Sequence, residues 1–476
     1  MTQSTPSALR RNMIRAGVAA GALGGIGILT ECSRMPVEPF TPPAPDLPPQ
    51  TSPRALTWQN WSGIQTCQPQ AIQSPADETA VLQLLKNSQS PVRCVGAGHS
   101  FTALVPTPGQ IVSLDSLSGI AGQDGTLVRI QAGTRLAQLA RELDARGLAM
   151  HNQPDIDAQS LAGAISTATH GTGMTLPALH AKVKALRLAT PSGQIVECSE
   201  QHHPELLQAA KVSLGSLGIL TEITLEAVPA YRLRRKVWLL PVQDMLDQAP
   251  QLARQHRHFE FYYLPFTGYA AAITHDIATS NELLHPDSGD EAMLHSLKQL
   301  RDRLGRFPEL RRWIAKKLIN PAQQETAQDQ SWKLLSTSRP TRFNESECHV
   351  PQDAGIACVR EVIRRLEQRN DVYFPLEFRF VQEDDAWLSP FYQRASCSVA
   401  VHAAAGEAWR YLVDDIAPVF RRYEGRPHWG KLHAHQAGDF ATLYPRWKDF
   451  LAIRQEYDPA GRMLNPHLRQ IFGVQS

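Results

Sequence analysis

The chain has 476 residues, with 48 Lys and Arg against 46 Asp and Glu, a formal net charge of +2. That balance leaves no excess charge for tracking nucleic-acid phosphates, and an apolar share of 42% excludes a polytopic membrane protein. Seven Cys in so long a chain are not a disulfide scaffold, and no C-x-x-C pair or His/Cys spacing of a structural zinc site occurs, so no metal centre is expected.

The N-terminus carries Arg10-Arg11 ahead of an uncharged, Gly- and Ala-rich stretch from Ala16 to Thr30. This stretch is shorter than the roughly 20 residues that span a bilayer. Residues 1–32 therefore read as an export signal of twin-arginine type, which implies a periplasmic or otherwise exported protein. Cys32 follows Leu29-Thr30-Glu31, which loosely resembles a lipoprotein cleavage site and offers a peripheral membrane tether, although Glu31 departs from that pattern. Residues 33–57 read as an extended linker, with eight prolines in the 18 positions from Pro36 to Pro53. Folding is expected to begin near Trp58. The six Cys beyond Cys32 read as buried free thiols in preference to disulfides.

Residues 58–230 read as a mixed helix-and-strand domain. Ala76 to Asn87 has an apolar face at helical spacing, started by Pro75 and Asp77. A short strand, Pro91 to Val95, runs into Gly96-Ala97-Gly98-His99-Ser100. Glycines directly after a strand let the backbone turn tightly and approach a ligand, and the exposed N–H groups of such a turn form an anion cradle. Strands are expected at Ile111–Asp115 and Leu127–Gly133, and a helix at Leu136–Arg146 ended by Gly147. From Ser160 to Gly173 nearly every residue is small, which suits a flat ring and a diphosphate lying against backbone. Gly215-Ser216-Leu217-Gly218-Ile219 then leads into an alternating strand that ends before Pro229.

In this order, the Gly-Ala-Gly-His-Ser turn, the Ala-Gly-Ala…Thr-His-Gly-Thr-Gly run and Gly-Ser-Leu-Gly-Ile-Leu-Thr resemble the FAD-binding domain of the vanillyl-alcohol-oxidase type flavoproteins. The resemblance implies an α+β, two-domain FAD-binding (PCMH-type) fold with an α+β substrate-binding cap. It implies FAD held by Gly96, Ala97, Gly98, His99, Ser100, Ser160, Gly163, Thr167, Thr169, His170, Gly171, Gly173, Gly218 and Ile219, with covalent attachment through His99. His170 is a second attachment point in principle, though ordering the Gly-rich turn is its expected role.

Residues 231–454 read as the substrate or cap domain, and 455–476 as a segment returning to the FAD domain. A charged helical insert occupies about 290–318. In Tyr373 to Val381, strand periodicity puts Phe374, Leu376, Phe378 and Phe380 on one face and Glu377 and Arg379 on the other. A carboxylate and a guanidinium in so apolar a strand are costly unless paired or turned to a site. His428-Trp429-Gly430-Lys431 follows, with His433 and His435 expected as solvent-facing residues of a strand rather than as metal ligands.

Glu-x-Arg, His-Trp-Gly-Lys and the closing Asp-Pro…Asn-Pro segment resemble the aldonolactone and alditol oxidase branch, which includes arabinonolactone, gulonolactone and galactonolactone enzymes. The branch implies oxidation of a CH–OH group of a sugar-derived lactone or polyol by hydride transfer to flavin N5. It adds Asn465 to the FAD contacts and makes Glu377, Arg379, Lys431 and Ser160 the catalytic candidates. Lys431 is expected to polarise the substrate hydroxyl or accept its proton, its pKa lowered by burial near Arg379. Glu377 is expected to hold substrate hydroxyls and Arg379 to stabilise charge on reduced flavin; Lys431 and Glu377 are exchangeable on sequence alone. Oxygen is the expected acceptor. Gln159, where the family favours a small residue, leaves open a dehydrogenase that uses another acceptor. A non-catalytic envelope protein binding flavin or sugar is the alternative of another class.

Overall fold

The architecture comes from a computed structural model that describes residues 56–285, 290–337 and 340–475. The segments expected to form an export signal, a linker up to residue 55 and a tether at Cys32 lie outside the described residues. Among the described residues no helix is long and apolar enough to cross a membrane.

The chain first builds a small parallel sheet. Its strands are β1 (Ala71–Gln73), β2 (Val92–Val95) and β3 (Gln110–Ser113), in the order β1-β3-β2. Helix α1 (Glu78–Asn87) crosses between β1 and β2. The Asp77 carboxylate caps it by accepting from the Ala80 N–H at 2.8 Å, and Val81 and Leu85 are its buried positions.

A second, antiparallel sheet follows. Its strands are β4 (Ile120–Asp124), β5 (Leu127–Gln131), β6 (Val183–Ala189), β7 (Ile195–Ser199) and β8 (Ile219–Glu226), in the order β7-β6-β8-β5-β4. In β5, Val128 and Ile130 are buried while Leu127 and Arg129 are exposed, the alternation of a half-covered strand. Helices α2 (Leu136–Asp144), α3 (Leu161–Ser166) and α4 (Pro204–Lys211) complete this part.

The second half is organised by one eight-stranded antiparallel sheet. Its strands are β9 (Arg232–Pro241), β10 (His258–Leu264), β11 (Tyr269–Ile277), β12 (Gln324–Gln330), β13 (Phe343–Pro351), β14 (Leu376–Val381), β15 (Ser396–Ala404) and β16 (Arg426–Pro427). The spatial order is β12-β9-β11-β10-β14-β15-β13-β16. Its apolar face carries Phe259, Phe261, Phe378, Phe380 and Val399, which share a core with Met245 and Ala249 of α5 (Val242–Gln255). The charged insert forms α6 (Asp290–Leu304) and α7 (Pro308–Leu318). Helix α8 (Gly355–Glu367) supplies Val359, Val362 and Leu366 to the same core. The opposite face of the sheet is polar and turns towards the first half of the chain.

The return of the chain to the first core begins earlier than residue 455. Trp429 already lies in that core with Phe440 of α9 (Ala437–Leu443) and Trp447 and Phe450 of α10 (Trp447–Tyr457). Leu468 and Phe472 of α11 (Pro466–Phe472) follow. The Cys reading holds in full for four of the six: Cys198, Cys348, Cys358 and Cys397 are buried and free, whereas Cys67 and Cys94 are free but only half-buried. One expectation fails. His433 and His435 lie in an irregular segment, not a strand, and His435 is buried. Both rings pack on Phe440, at 5.5 and 5.8 Å, because the segment is drawn into the aromatic cluster around Trp429.

Candidate active site

The turn after β2 has its shape because residue 96 lacks a side chain. A Cβ at Gly96 would lie 2.2 Å from Ser160 Oγ, and Gly98 has φ +68°. Among the described residues, the N–H groups of Ala97, Gly98, His99 and Ser100 meet no acceptor within the protein. A row of free amides at a tight turn is the donor set a pyrophosphate requires. The turn is braced from behind: Trp61 N–H donates to Gly98 O at 2.8 Å, and the Trp61 ring stacks on His99 at 4.8 Å. Burial, with Lys431 and Arg135 adding, pushes His99 down to about 4.

The small-residue run lies against this turn. Ser160 caps α3 by accepting from the Gly163 N–H at 3.3 Å, and Thr167 Oγ1 donates to Gly163 O at 3.2 Å. Gln159 is fixed at both ends of its amide, accepting from Thr169 at 2.9 Å and donating to Ile156 O at 3.2 Å. A Cβ at Gly171 would meet Gln153 O at 2.3 Å. Gly173 joins the two halves of the protein: its N–H donates to Phe380 O at 2.7 Å, and it bridges to Val381 of β14. At Gly96, Gly171 and Gly173 a Cβ would run into neighbouring protein atoms, so these glycines let the segments around the turn pack closely, and the free amides of the turn are the feature that suits the pyrophosphate of FAD.

Opposite the cradle is the polar face of the large sheet. Cross-strand register sets Glu260 beside Arg379 and Tyr262 beside Glu377. Arg379 Nε donates to Glu260 at 2.7 Å and its Nη2 bonds Glu377, while Tyr262 Oη donates to Glu377 at 2.6 Å. Glu377 and Arg379 are 7% and 8% exposed, so this network is buried. Burial pushes Glu377 up to about 8, against the pull of Arg379 and with Glu260 adding to the rise.

Lys431 reaches the same face from the loop after β16. It bonds Glu345, lies 3.8 Å from Glu347, and sits 5.3 Å above the Phe101 ring. Phe101 N–H donates to Gly430 O, which ties the lysine loop to the Gly-x-Gly-His-Ser turn. The expected lowering of the Lys431 pKa does not occur. Burial does disfavour its charged form, but Glu345 and Glu347 outweigh burial and raise it, while Arg379 is occupied by Glu260 and Glu377.

His170 is consumed by the protein. Nδ1 faces Gly171 O at 2.8 Å and Nε2 faces Glu347 at 2.9 Å, which leaves no ring nitrogen for a flavin bond. Burial opposes the charge on Glu347, but His170, His428 and Lys431 hold it well below the usual carboxylate range. Asn465 caps α11 through Leu468 N–H and donates to Ala103 O at 2.7 Å and Pro106 O at 2.8 Å. Its amide holds the loop after the turn instead of facing the cradle. Gly218, at φ +151°, and Ile219 serve the join of β8 to β6, where a Cβ on Gly218 would meet Ala189 O at 2.4 Å.

Sequence reasoning missed Glu260, Tyr262, Glu345 and Glu347. The signal was present for the last two: Glu345, Glu347 and His349 recur at period two in a strand whose neighbours are apolar or small. Glu260 was hidden because its partner, Arg379, lies 119 residues away.

The sequence profile of the D-arabinono-1,4-lactone oxidase family matches residues 223–471, and that of an FAD binding domain matches residues 69–199. L-gulono-1,4-lactone dehydrogenase of Mycobacterium tuberculosis (strain ATCC 25618 / H37Rv) is 34% identical over 87% of this chain and 99% of that protein. L-gulonolactone oxidase of Bos taurus is 29% identical over 88% and 99%. Alditol oxidase of a Streptomyces species is 28% identical over 87% and 98%. Among solved structures, cholesterol oxidase from B. sterolicum superimposes with a TM-score of 0.69 at 16% identity, over 90% of this chain and all of that one, which is a likeness of fold.

Proposed function

Because the chain belongs to the D-arabinono-1,4-lactone oxidase family of FAD-dependent oxidoreductases, we propose that it oxidises a CH–OH group of a sugar-derived lactone or polyol in the gap between the cradle and the polar sheet face. The observation that carries this is the convergence of Glu377 and Arg379 of β14 with Lys431, from the loop after β16, on one buried face tied to the Gly96–Ser100 turn. FAD, when bound, supplies the hydride acceptor.

The chain's own residues handle the proton and the hydroxyls. Lys431, kept charged by Glu345 and Glu347, polarises the reacting hydroxyl oxygen as a donor. Glu377, with its raised pKa, is the better base of the pair and takes the hydroxyl proton, so the exchanged assignment is the one we adopt. Tyr262 and Glu260 hold Glu377 and Arg379 in place, and Arg379 offers positive charge where negative charge develops. The neutral His99 ring, stacked on Trp61, keeps a nucleophilic nitrogen for covalent attachment to the flavin.

Oxygen is the proposed acceptor. A second reading, a different electron acceptor, is favoured by Gln159, whose amide is fixed at both ends beside Ser160 and cannot swing aside without losing both bonds. Export through the Arg10-Arg11 signal to the periplasm belongs to the same proposal, and a double Lys replacement there is expected to retain the protein in the cytoplasm.

Anaerobic mixing with a panel of aldonolactones and alditols tests the function. Bleaching of the flavin absorbance by at least one of them is the expected result, and no bleaching by any would overturn the proposal. Admitting oxygen afterwards separates the acceptors by whether the colour returns within a turnover time.

A further inference from the structure

The charged insert takes no part in the site. It is nonetheless firmly attached. Arg311 of α7 is 1% exposed, donates to Val372 O at 2.7 Å, and stacks on Phe266 at 3.9 Å. Arg312 bonds Glu367 at the end of α8, and Arg301 of α6 bonds Glu407. The inner face of the hairpin is therefore fully used, and what remains outside is not a residue of loose packing.

The outer face carries large apolar side chains in water. Phe307 and Trp313 are 61% exposed, Leu310 45% and Leu318 40%. Leu310, Trp313 and Lys317 are spaced three and four apart and share one side of the helix. Around them stand four exposed cations, Arg303, Arg306, Lys316 and Lys317, none of which makes an ion pair among the described residues. The nearby acids are spent: Glu309 on Arg312, and Asp302 on Lys298.

We propose that α7 and the turn before it dock the protein on an anionic lipid surface. An aromatic and leucine stripe fringed with unpaired Lys and Arg is the pattern of a helix lying in a bilayer interface, where Trp and Phe sit at headgroup depth. Each cation adds to attraction for anionic headgroups. A second copy of the chain fits less well, because a symmetric contact would set these four cations against their own counterparts. The helix is fastened through Phe266, Glu367 and Val372, none of which belongs to the polar sheet face.

Co-sedimentation of the full-length, flavin-loaded protein with vesicles tests this, using phosphatidylcholine alone and phosphatidylcholine with phosphatidylglycerol. The parent is expected to partition at least tenfold more strongly onto the anionic vesicles. Trp313→Glu is expected to lose most of that binding, and the pair Lys316→Glu and Lys317→Glu about fivefold or more per charge removed, with flavin reduction by a soluble substrate unchanged in each. Variants that bind like the parent would place lipid binding elsewhere in the chain and overturn the proposal. So would a parent that ignores both vesicles, or one that forms a dimer abolished by Trp313→Glu without binding lipid.

Discussion

Burial disfavours the charged form of both Lys431 and Glu377, but neighbouring carboxylates overcome it at Lys431 while Arg379 does not at Glu377. Two carboxylates stand against the ammonium of Lys431, so it stays charged despite a site that disfavours charge. Lys431→Met is expected to lower the anaerobic flavin-reduction rate about 10²-fold or more while flavin content stays normal, the scale of a lost positioned proton-transfer or charge-stabilising group. Stopped-flow reduction measures it, and a parent-like rate would remove Lys431 from the mechanism. Glu377 is shifted up as well, but for a carboxyl an upward shift favours the neutral form. Its raised pKa of about 8 keeps it protonated at neutral pH, so a rate that depends on its carboxylate form rises as pH increases through 8. Glu377→Gln should be slow and should lose that rise. Glu345→Gln makes a separate point: with one carboxylate gone, Lys431 gives up its proton at lower pH, and the reduction rate should begin its alkaline fall earlier than in the parent.

At the scale of elements, the cradle is made where three segments meet without side chains between them. Gly96→Ala is expected to force the β2 turn from the α3 cap, since its Cβ would lie 2.2 Å from Ser160 Oγ. Overpacking of this kind costs about 1–3 kcal/mol, and the flavin-binding turn absorbs it. Flavin occupancy of the purified variant should drop, and combining it with Ser160→Gly should restore occupancy in part; no recovery would mean that the clash lies elsewhere. The same region shows what could be read from the sequence. The Gly-x-Gly-His-Ser turn, α1 with its Asp77 cap and the two-faced β14 were legible because each is set by neighbours within a few residues. The pairings Glu260–Arg379, His170–Glu347 and Lys431–Glu345 were not, since sheet register and a return of the chain decide them. The misplacement of His433 and His435 has the same origin: no local pattern announces that Phe440 and Trp429 draw that segment inward.

Across the whole molecule, both cores bury histidine. His258, His275, His349, His428 and His435 are 6% exposed or less, and burial lowers each, to about 3 for His275 and His428 and about 4 for His435. Both ring nitrogens of His349 also lack a hydrogen-bond partner among the described residues, so a proton added there would be a buried, unsolvated charge. The consequence for stability has a definite sign. These pKa values are depressed in the folded state, so between the unfolded value of about 6.5 and about 4 the unfolded chain binds protons that the folded chain refuses. Stability is intact above that window and is lost as pH falls through it. Glu377 works the other way: its folded pKa of about 8 means that one proton is already held by the native state when the unfolded carboxylate is ionised. Five depressed histidines outweigh it, so the urea midpoint of the flavin-loaded protein should fall steeply from pH 6.5 to 5, well above the range where carboxylates ordinarily drive acid unfolding. Replacing His258 and His275 together with Phe, which removes two of the titrating groups and none of the site, should flatten that slope. A midpoint unchanged between pH 7 and 5, or a slope the double replacement leaves alone, would show that these rings are protonated and solvated in the native protein.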